Sequence, residues 1–237
     1  MQRLLLICFV IFISCEDKQS QSKQESTVTP VESNEVAKQS VEKKDSVIVK
    51  TPEFPVLTEK TAMEFFLQYQ KENHENKVRL FTDFGEIDIL LYPKTKFHRA
   101  NFIYLTKRGY FDNTQFYRVV NNFIIQGGNT DDAKVKRKRK KIGKYLLPTD
   151  TKRGYTHSRG AVSMPSSEIA NPHKLASPYE FFIIQDPRGQ SRLDDDYTVF
   201  GTVIRGMDVV DKIAAVETDE ADWPLRNVYI RKAEIIE

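Results

Sequence analysis

Cysteine is scarce in this 237-residue chain, and its two cysteines, Cys8 and Cys15, both lie within the first fifteen residues. The rest of the chain therefore has no disulfide and no thiolate metal site. Long apolar runs are also missing, since Leu4–Ile13 is about half of the roughly 20 residues that cross a bilayer. Neither sign of charge is in large excess, because 36 basic and 33 acidic residues leave a net charge of +3. This balance does not point to a polyanionic partner.

The N-terminus has the order of features that is typical of a secretory signal sequence. Arg3 gives an early positive charge, the apolar run follows, and small Ser14 precedes Cys15. We therefore expect residues 1–14 to be a signal peptide that is absent from the mature protein. Phe12–Cys15 also resembles the bacterial lipobox, in which the cysteine is lipidated and becomes the mature N-terminus. The alternative is an ordinary secretory signal with an incidental cysteine.

Aromatic residues, leucine and methionine are missing from the next segment, Glu16–Glu53, which consists mainly of Ser, Gln, Lys, Glu, Thr and isolated Val. Such a composition cannot bury enough apolar surface to offset the entropy that a chain loses on folding. We therefore expect residues 15–57 to comprise a lipidated Cys15 and a flexible tether. This anchor predicts a protein of the bacterial cell envelope, facing the periplasm or the cell surface.

Residues 58–76 predict a helix that leads into the folded domain. Thr61–Glu64 has the spacing of a capping box, and an apolar stripe continues to Tyr69. Two strand patterns around the turn Asp83–Gly85 then predict a β-hairpin. The other predicted elements are strands at Phe116–Val120, Phe123–Gln126, Gly160–Ser163, Phe181–Ile184, Thr198–Val203 and Val228–Ile236, and helices at Lys96–Arg108 and Met207–Ala215. Many short strands without regular strand–helix alternation favour a mainly β barrel over a doubly wound sheet.

The most specific motif of the chain lies at Phe116–Asn129. It consists of an aromatic residue, an arginine, a short turn, an apolar pair and then Gln-Gly-Gly. This motif closely resembles the signature of the cyclophilin family of peptidyl-prolyl cis/trans isomerases. The resemblance continues in order at Phe84–Ile87, His157–Met164, Phe181–Ile183 and Val199–Gly201. It implies a cyclophilin-like domain at residues 77–237, folded as a closed eight-stranded antiparallel barrel capped by two helices, with the lead-in helix as an addition.

The resemblance also implies roles for residues in a groove on the outer face of the barrel. Arg118 and Gln126 are the expected catalytic pair: the first would donate to the proline nitrogen, and the second would bind the substrate carbonyl. The expected proline pocket consists of Phe123, Ile124, Phe182 and Leu193, and Tyr197 stands where many members have histidine. No cofactor or metal is implied, and the expected partners are proline-containing polypeptides.

Three substitutions depart from the family pattern in this groove. Glu180 replaces the usual glutamine, so it adds a charged acceptor to the groove and is a candidate partner for Arg118. Pro165 takes the place of the usual small residue that follows the methionine. Arg192 falls where many members have the tryptophan that helps to bind cyclosporin, which implies weak cyclosporin binding here.

Two other features admit a ligand-binding interpretation. Lys134–Lys141 has seven Lys or Arg in eight positions, which suits either contact with an anionic surface or a solvated insertion. Its lack of interleaved aromatics argues against nucleic-acid binding. Asp194–Asp196 and the four histidines lack the spacing of metal ligands, and we expect them in turns and on the surface.

The sequence therefore predicts an isomerase that assists the folding or maturation of envelope proteins. The alternative is a module that binds proline motifs with little or no turnover, as a chaperone or scaffold. The presence of both Arg118 and Gln126 favours the enzyme.

Overall fold

The computed structural model describes residues 54–166 and 171–236. The predicted signal peptide, Cys15 and most of the predicted tether lie outside these residues. The strands are β1 (Leu57–Thr58), β2 (Lys77–Thr82), β3 (Gly85–Leu91), β4 (Thr114–Val120), β5 (Ile124–Asn129), β6 (Gly143–Lys144), β7 (Ala161–Ser163), β8 (Phe181–Ile184), β9 (Val199–Arg205) and β10 (Val228–Ile235). The helices are α1 (Ala62–Glu72), α2 (Lys96–Lys107), α3 (Ala133–Ile142) and α4 (Met207–Ala214), with a 3₁₀ turn at Ser191–Leu193.

Eight of these strands close into a barrel in the order β10-β2-β3-β9-β7-β8-β5-β4, and every neighbouring pair is antiparallel. The predicted mainly β fold is thereby confirmed. Alternate side chains of the strands point inward and fill the barrel, including Phe116, Phe181 and Phe200, each at most 1% exposed. Helix α2 supplies Phe102, whose ring contacts Phe111, Phe181 and Phe200. A packed interior leaves the outer face for a binding groove.

Residues at the end of the predicted tether already pack on the folded domain. Leu57 is fully buried, and its strand β1 pairs with β6 in parallel. Phe54 packs edge-on against Tyr104 of α2 at a centroid distance of 5.4 Å. Both residues fall inside the predicted tether of residues 15–57, so the folded part begins by residue 54. These two apolar side chains supply burial that a purely polar composition cannot supply.

Helix α1 lies within residues 58–76, where the sequence predicts a lead-in helix, but the predicted capping box does not form. Thr61 has φ −105° and ψ −21°, which is a helical rather than an extended conformation. Its hydroxyl accepts a hydrogen bond from the backbone N–H of Thr58 instead of one from the first turn of the helix. The Glu64 carboxylate accepts from Gln68 one turn later.

The basic segment, which the sequence suggests is either an anionic contact or a solvated insertion, forms helix α3. The Asp132 carboxylate caps it by accepting from the backbone N–H of Lys134 at 2.6 Å. Val135 and Ile142 lie two turns apart on its buried side. The charges therefore project from a helix that is seated on the domain. In the described part of the chain, no helix has both the length and the apolar composition needed to cross a bilayer.

Candidate functional site

A row of cross-strand neighbours runs over the outer face of four adjacent strands. Arg118 of β4 is opposite Gln126 of β5, which is opposite Phe182 of β8, which is opposite Ser163 of β7. Directly opposed residues place their side chains on the same face of a sheet, about 5 Å apart at Cβ. The barrel therefore brings the predicted catalytic pair beside the predicted pocket residue Phe182.

Two irregularities between β4 and β5 shape this row. Phe116 pairs with Gly127 and Arg118 with Gln126, so Tyr117 is an extra residue on β4. A bulge of this kind turns two successive side chains toward one face. Gly128 is the extra residue on β5, with φ +99°, and a Cβ there would lie 2.3 Å from the carbonyl oxygen of Tyr179. Only glycine fits this position.

The bulge lets Tyr117 join Gln126 and Glu180 in a chain of hydrogen bonds. The Gln126 amide donates to the Tyr117 hydroxyl, which donates to the Glu180 carboxylate at 2.9 Å. Glu180 also accepts from the Asn129 amide at 3.3 Å. Burial, with Glu180 beside it, raises the pKa of Tyr117, so its hydroxyl keeps its proton as a donor. Glu180 is thus satisfied by Tyr117 and Asn129, and the suggested pairing of Glu180 with Arg118 is wrong.

The partner of Arg118 is instead Asp222, from the loop between α4 and β10. The guanidinium lies 3.0 Å from the Asp222 carboxylate, and both side chains are 37% exposed. The Asp222 carbonyl also accepts from the backbone N–H of Val119 at 2.9 Å. The next residue, Trp223, packs on the Tyr117 ring with centroids 5.6 Å apart. Closure of the barrel by β10 brings this loop to β4, about a hundred residues earlier in the chain.

The predicted pocket residues form an apolar cluster of their own, separate from the barrel interior. Ile124 and Phe182 are 4% and 3% exposed, whereas Phe123, Leu193 and Tyr197 are half-buried around them. Tyr197 meets the Phe182 ring edge-on at 5.8 Å. The structure therefore gathers the five predicted apolar residues into one cluster, beside Gln126, on the outer face.

His157 supports this cluster from below. Its ring stacks on Phe182 at 5.8 Å, and its two nitrogens meet Asp194 at 2.7 Å and Ser163 at 3.1 Å. Burial lowers its pKa, although the Asp194 carboxylate acts in the opposite direction. His157 and His98 are each 1% exposed, so the expectation of surface histidines is wrong for these two. Asp194 therefore holds the His157 ring in place beneath the pocket residue Phe182.

The two remaining departures from the family pattern occupy different places. The Arg192 guanidinium lies over the face of Phe123, 5.0 Å from the ring centroid, at the rim of the apolar cluster. This is a cation–π geometry. Pro165 is buried, and its carbonyl accepts from the backbone N–H of Ser177 at 2.8 Å. That carbonyl is therefore already engaged within the fold.

Comparison with known proteins agrees with this geometry. A family model described as cyclophilin type peptidyl-prolyl cis-trans isomerase/CLD matches residues 77–235. The chain belongs to the cyclophilin family. Among curated cyclophilins, it is 33% identical over 168 residues to peptidyl-prolyl cis-trans isomerase CYP18-2 of Arabidopsis thaliana, covering 70% of this chain and 97% of that protein. It is 29% identical over 172 residues to peptidyl-prolyl cis-trans isomerase B of Escherichia coli K12, covering 68% and 99%.

Solved structures of cyclophilins resemble the fold as well. One is a cyclophilin type isomerase of Cryptosporidium parvum, crystallised in the presence of the dipeptide Ala-Pro. It has a TM-score of 0.54 and 25% sequence identity, and the match covers 68% of this chain and 99% of that one. The chain is accordingly a cyclophilin-type peptidyl-prolyl cis/trans isomerase by family.

Four residues of this cyclophilin groove are not predicted by the sequence. Tyr117 sits inside the recognised motif, but only the bulge reveals that it faces Gln126. His157 begins a recognised motif, but its contact with Phe182 is visible only in the fold. Asp222 and Trp223 reach the groove through the pairing of β10 with β4, which leaves no local signal. The described residues contain no group of three or more His, Cys, Asp or Glu side chains placed to hold a metal ion.

Proposed function

We propose that this cyclophilin isomerises X-Pro bonds in proteins of the bacterial cell envelope while they fold or mature. The observation that carries the proposal is the placement of Arg118 and Gln126 as cross-strand neighbours beside the apolar cluster around Phe182. A proline ring needs an apolar seat, and the polar atoms of its peptide bond need donors close to that seat. This row of side chains supplies both.

Isomerisation of an X-Pro bond requires few catalytic groups besides an apolar pocket and hydrogen-bond donors. The barrier to rotation is about 18–20 kcal/mol because resonance gives the C–N bond partial double-bond character. A catalyst lowers the barrier when it binds the twisted amide better than either planar form. As the amide twists, the nitrogen lone pair localises and becomes a hydrogen-bond acceptor. No nucleophile or redox step is needed.

In this mechanism Arg118 donates to the proline nitrogen of the twisted amide. Its guanidinium remains charged and presents five N–H donors, so one edge can bind Asp222 while another faces the substrate. Gln126 has two amide hydrogens, one of which is held by Tyr117, and the other is available for the substrate carbonyl. Phe123, Ile124 and Phe182 receive the proline ring.

An isomerisation assay on a short Ala-Pro peptide tests the enzymatic part of the proposal. The full chain should accelerate cis-to-trans conversion, and Arg118→Ala should lower kcat/KM by at least about tenfold, which corresponds to roughly 1.4 kcal/mol of transition-state stabilisation. Arg226→Ala is the matched control, because this exposed arginine lies in the same loop as Asp222 but outside the groove. No acceleration by the unmutated chain would favour the module that binds without turnover.

The place of action follows from the predicted anchor. A diacylated or triacylated Cys15 would hold the enzyme at a membrane, because each buried methylene contributes about 0.8 kcal/mol. Cys15→Ser should release the protein from the membrane fraction of a bacterial host, whereas Cys8→Ser, in the removed signal peptide, should leave it there. Equal membrane retention of both variants would contradict lipidation at Cys15.

Helix α3 is proposed as a second contact with an anionic membrane surface. Lys134, Arg137, Lys140 and Lys141 have no acidic partner in the described part of the chain, and each basic residue near such a surface contributes about 1 kcal/mol. In a Cys15→Ser background, which removes the proposed lipid anchor, replacing these four with Gln should reduce binding of the protein to vesicles that contain anionic lipid. Unchanged binding would leave α3 as a solvated insertion.

A further inference from the structure

Trp223 is the single tryptophan of the chain, and it lies outside the core. The side chain is 41% exposed and contacts the Tyr117 ring on the outer face of β4. Tyr117 is the same residue that holds Gln126. The indole therefore borders the groove.

The position of Trp223 is fixed by its own loop. The Asp219 carboxylate accepts from the backbone N–H groups of Ala221 and Trp223, both at 2.9 Å, and the N–H of Asp219 donates to the Trp223 carbonyl at 2.8 Å. Asp222 then joins this loop to Arg118 and Val119 of β4. An exposed aromatic ring that is already ordered loses little conformational entropy when a ligand packs on it.

The strand order sets the side of the groove on which the indole lies. β4 has β5 and the proline pocket on one side and β10 on the other. Trp223 belongs to the loop that enters β10, so Arg118 stands between the indole and the apolar cluster of Phe182. A polypeptide whose proline occupies that cluster and whose chain continues across the strands toward β10 passes Arg118, and Trp223 borders that path.

We propose that Trp223 is a client-binding residue, which gives this isomerase a preference for apolar or aromatic side chains close to the proline. The inference rests on the proposed function, because the occupant is the same proline-containing polypeptide. The exposed indole face supplies an apolar contact, and aromatic pairs strengthen binding by about two- to tenfold beyond the effect of the area that they bury. The contact is continuous with the groove through Asp222 and Tyr117.

The test measures peptide binding by calorimetry, so that it does not depend on turnover. The full chain is titrated with Phe-Ala-Pro-Ser, Ser-Ala-Pro-Phe and Ser-Ala-Pro-Ser. One of the two Phe peptides should bind more tightly than the Ser peptide, and Trp223→Ala should reduce that selectivity by about tenfold. Trp223→Phe should restore most of it. Leu225→Ala is the control, since Leu225 lies in the same loop and is 63% exposed. Its backbone N–H donates to the carbonyl of Glu217 within that loop rather than to β4.

A change in selectivity separates a contact from structural damage. Loss of folding or displacement of Arg118 would weaken the binding of all three peptides by the same factor. The ratio of their dissociation constants would then be unchanged, and that result would overturn the inference. No preference for either Phe peptide in the unmutated chain would also overturn it. Failure of the proposed function looks different, because the peptides would then bind, with or without selectivity, and not be isomerised.

Discussion

Two carboxylates hold the polar side chains of the groove, each from a different part of the chain. Glu180 orients Gln126 through the Tyr117 hydroxyl, and Asp222 holds Arg118 directly. Neither catalytic candidate is thus left to rotate freely in water. Ordering side chains in advance lowers the entropic cost of reaching the transition state.

Asp222→Ala should lower kcat/KM for a short Ala-Pro peptide by about fivefold, since an exposed ion pair contributes up to about 1 kcal/mol. The physical reason is that the guanidinium loses the partner that orients it. Asp222→Glu should recover part of the rate, and the thermal midpoint should fall by at most about 4 °C in either variant. An unaltered rate in Asp222→Ala would mean that Asp222 does not position Arg118.

Arg192 leads to a prediction about inhibition. Its guanidinium covers Phe123 at the rim of the pocket. The family resemblance places Arg192 where many cyclophilins have the tryptophan that helps to bind cyclosporin. The unmutated chain should bind cyclosporin weakly, and Arg192→Trp should tighten the dissociation constant by about tenfold, because an indole adds apolar area and an N–H donor. Arg188→Trp is the control, since Arg188 is 87% exposed. Tight binding by the unmutated chain would refute the prediction.

At the scale of elements, the groove depends on the irregular pairing of β4 with β5. A regular ladder would point Tyr117 into the barrel and would leave Gln126 without its partner. The extra residue Gly128 compensates for the register on β5, and its left-handed φ lets β5 pass close to Tyr179.

Gly128→Ala should therefore destabilise the fold by about 3 kcal/mol, because strained φ and a close contact act together. Gly154→Ala isolates the first effect, since Gly154 has φ +81° but no atom within 4 Å of its added Cβ. It should cost about 1 kcal/mol. Chemical denaturation compares the two variants, and equal losses would show that the approach to Tyr179 is not tight.

The sequence predicts most strands of the barrel and, through the family resemblance, the catalytic pair and the pocket residues of the groove. It does not predict the residues that hold them in place. The hairpin of β2 and β3 follows from alternating residues around Asp83–Gly85, and the strands and helices α2 and α4 lie within a few residues of their predicted positions. Helix α3 is not predictable from periodicity, because its only apolar residues are Ala133, Val135 and Ile142. Asp222 and Trp223 could not be placed, since their contacts with β4 depend on a long-range strand pairing.

For the molecule as a whole, two buried histidines make the free energy of unfolding depend on pH. Burial lowers the pKa of His98 to about 4, and neither ring nitrogen has a hydrogen-bond partner. The unfolded chain binds this proton near pH 6.5 and the folded chain only near 4, so the free energy of unfolding falls as pH decreases through that window. The effect of His98 amounts to roughly 3 kcal/mol. His157 adds to it in the same direction.

His98→Phe should flatten the dependence of stability on pH between about 6.5 and 4, because the ring no longer takes up a proton on unfolding. The share of His157 should remain. His173→Phe is the control, as His173 is exposed. Denaturation midpoints measured across this range check the prediction, and an unchanged slope in His98→Phe would contradict it.

If Arg118 carries the chemistry, the groove both binds an X-Pro bond and turns it over. Exchange NMR on an Ala-Pro peptide measures binding and turnover in the same sample, because shifts of the peptide resonances report binding and exchange between cis and trans resonances reports catalysis. We predict that the full chain produces both effects, and that Arg118→Ala still shifts the resonances but no longer exchanges them at a comparable rate. Shifts without exchange in the unmutated chain, or equal exchange in both proteins, would contradict the claim.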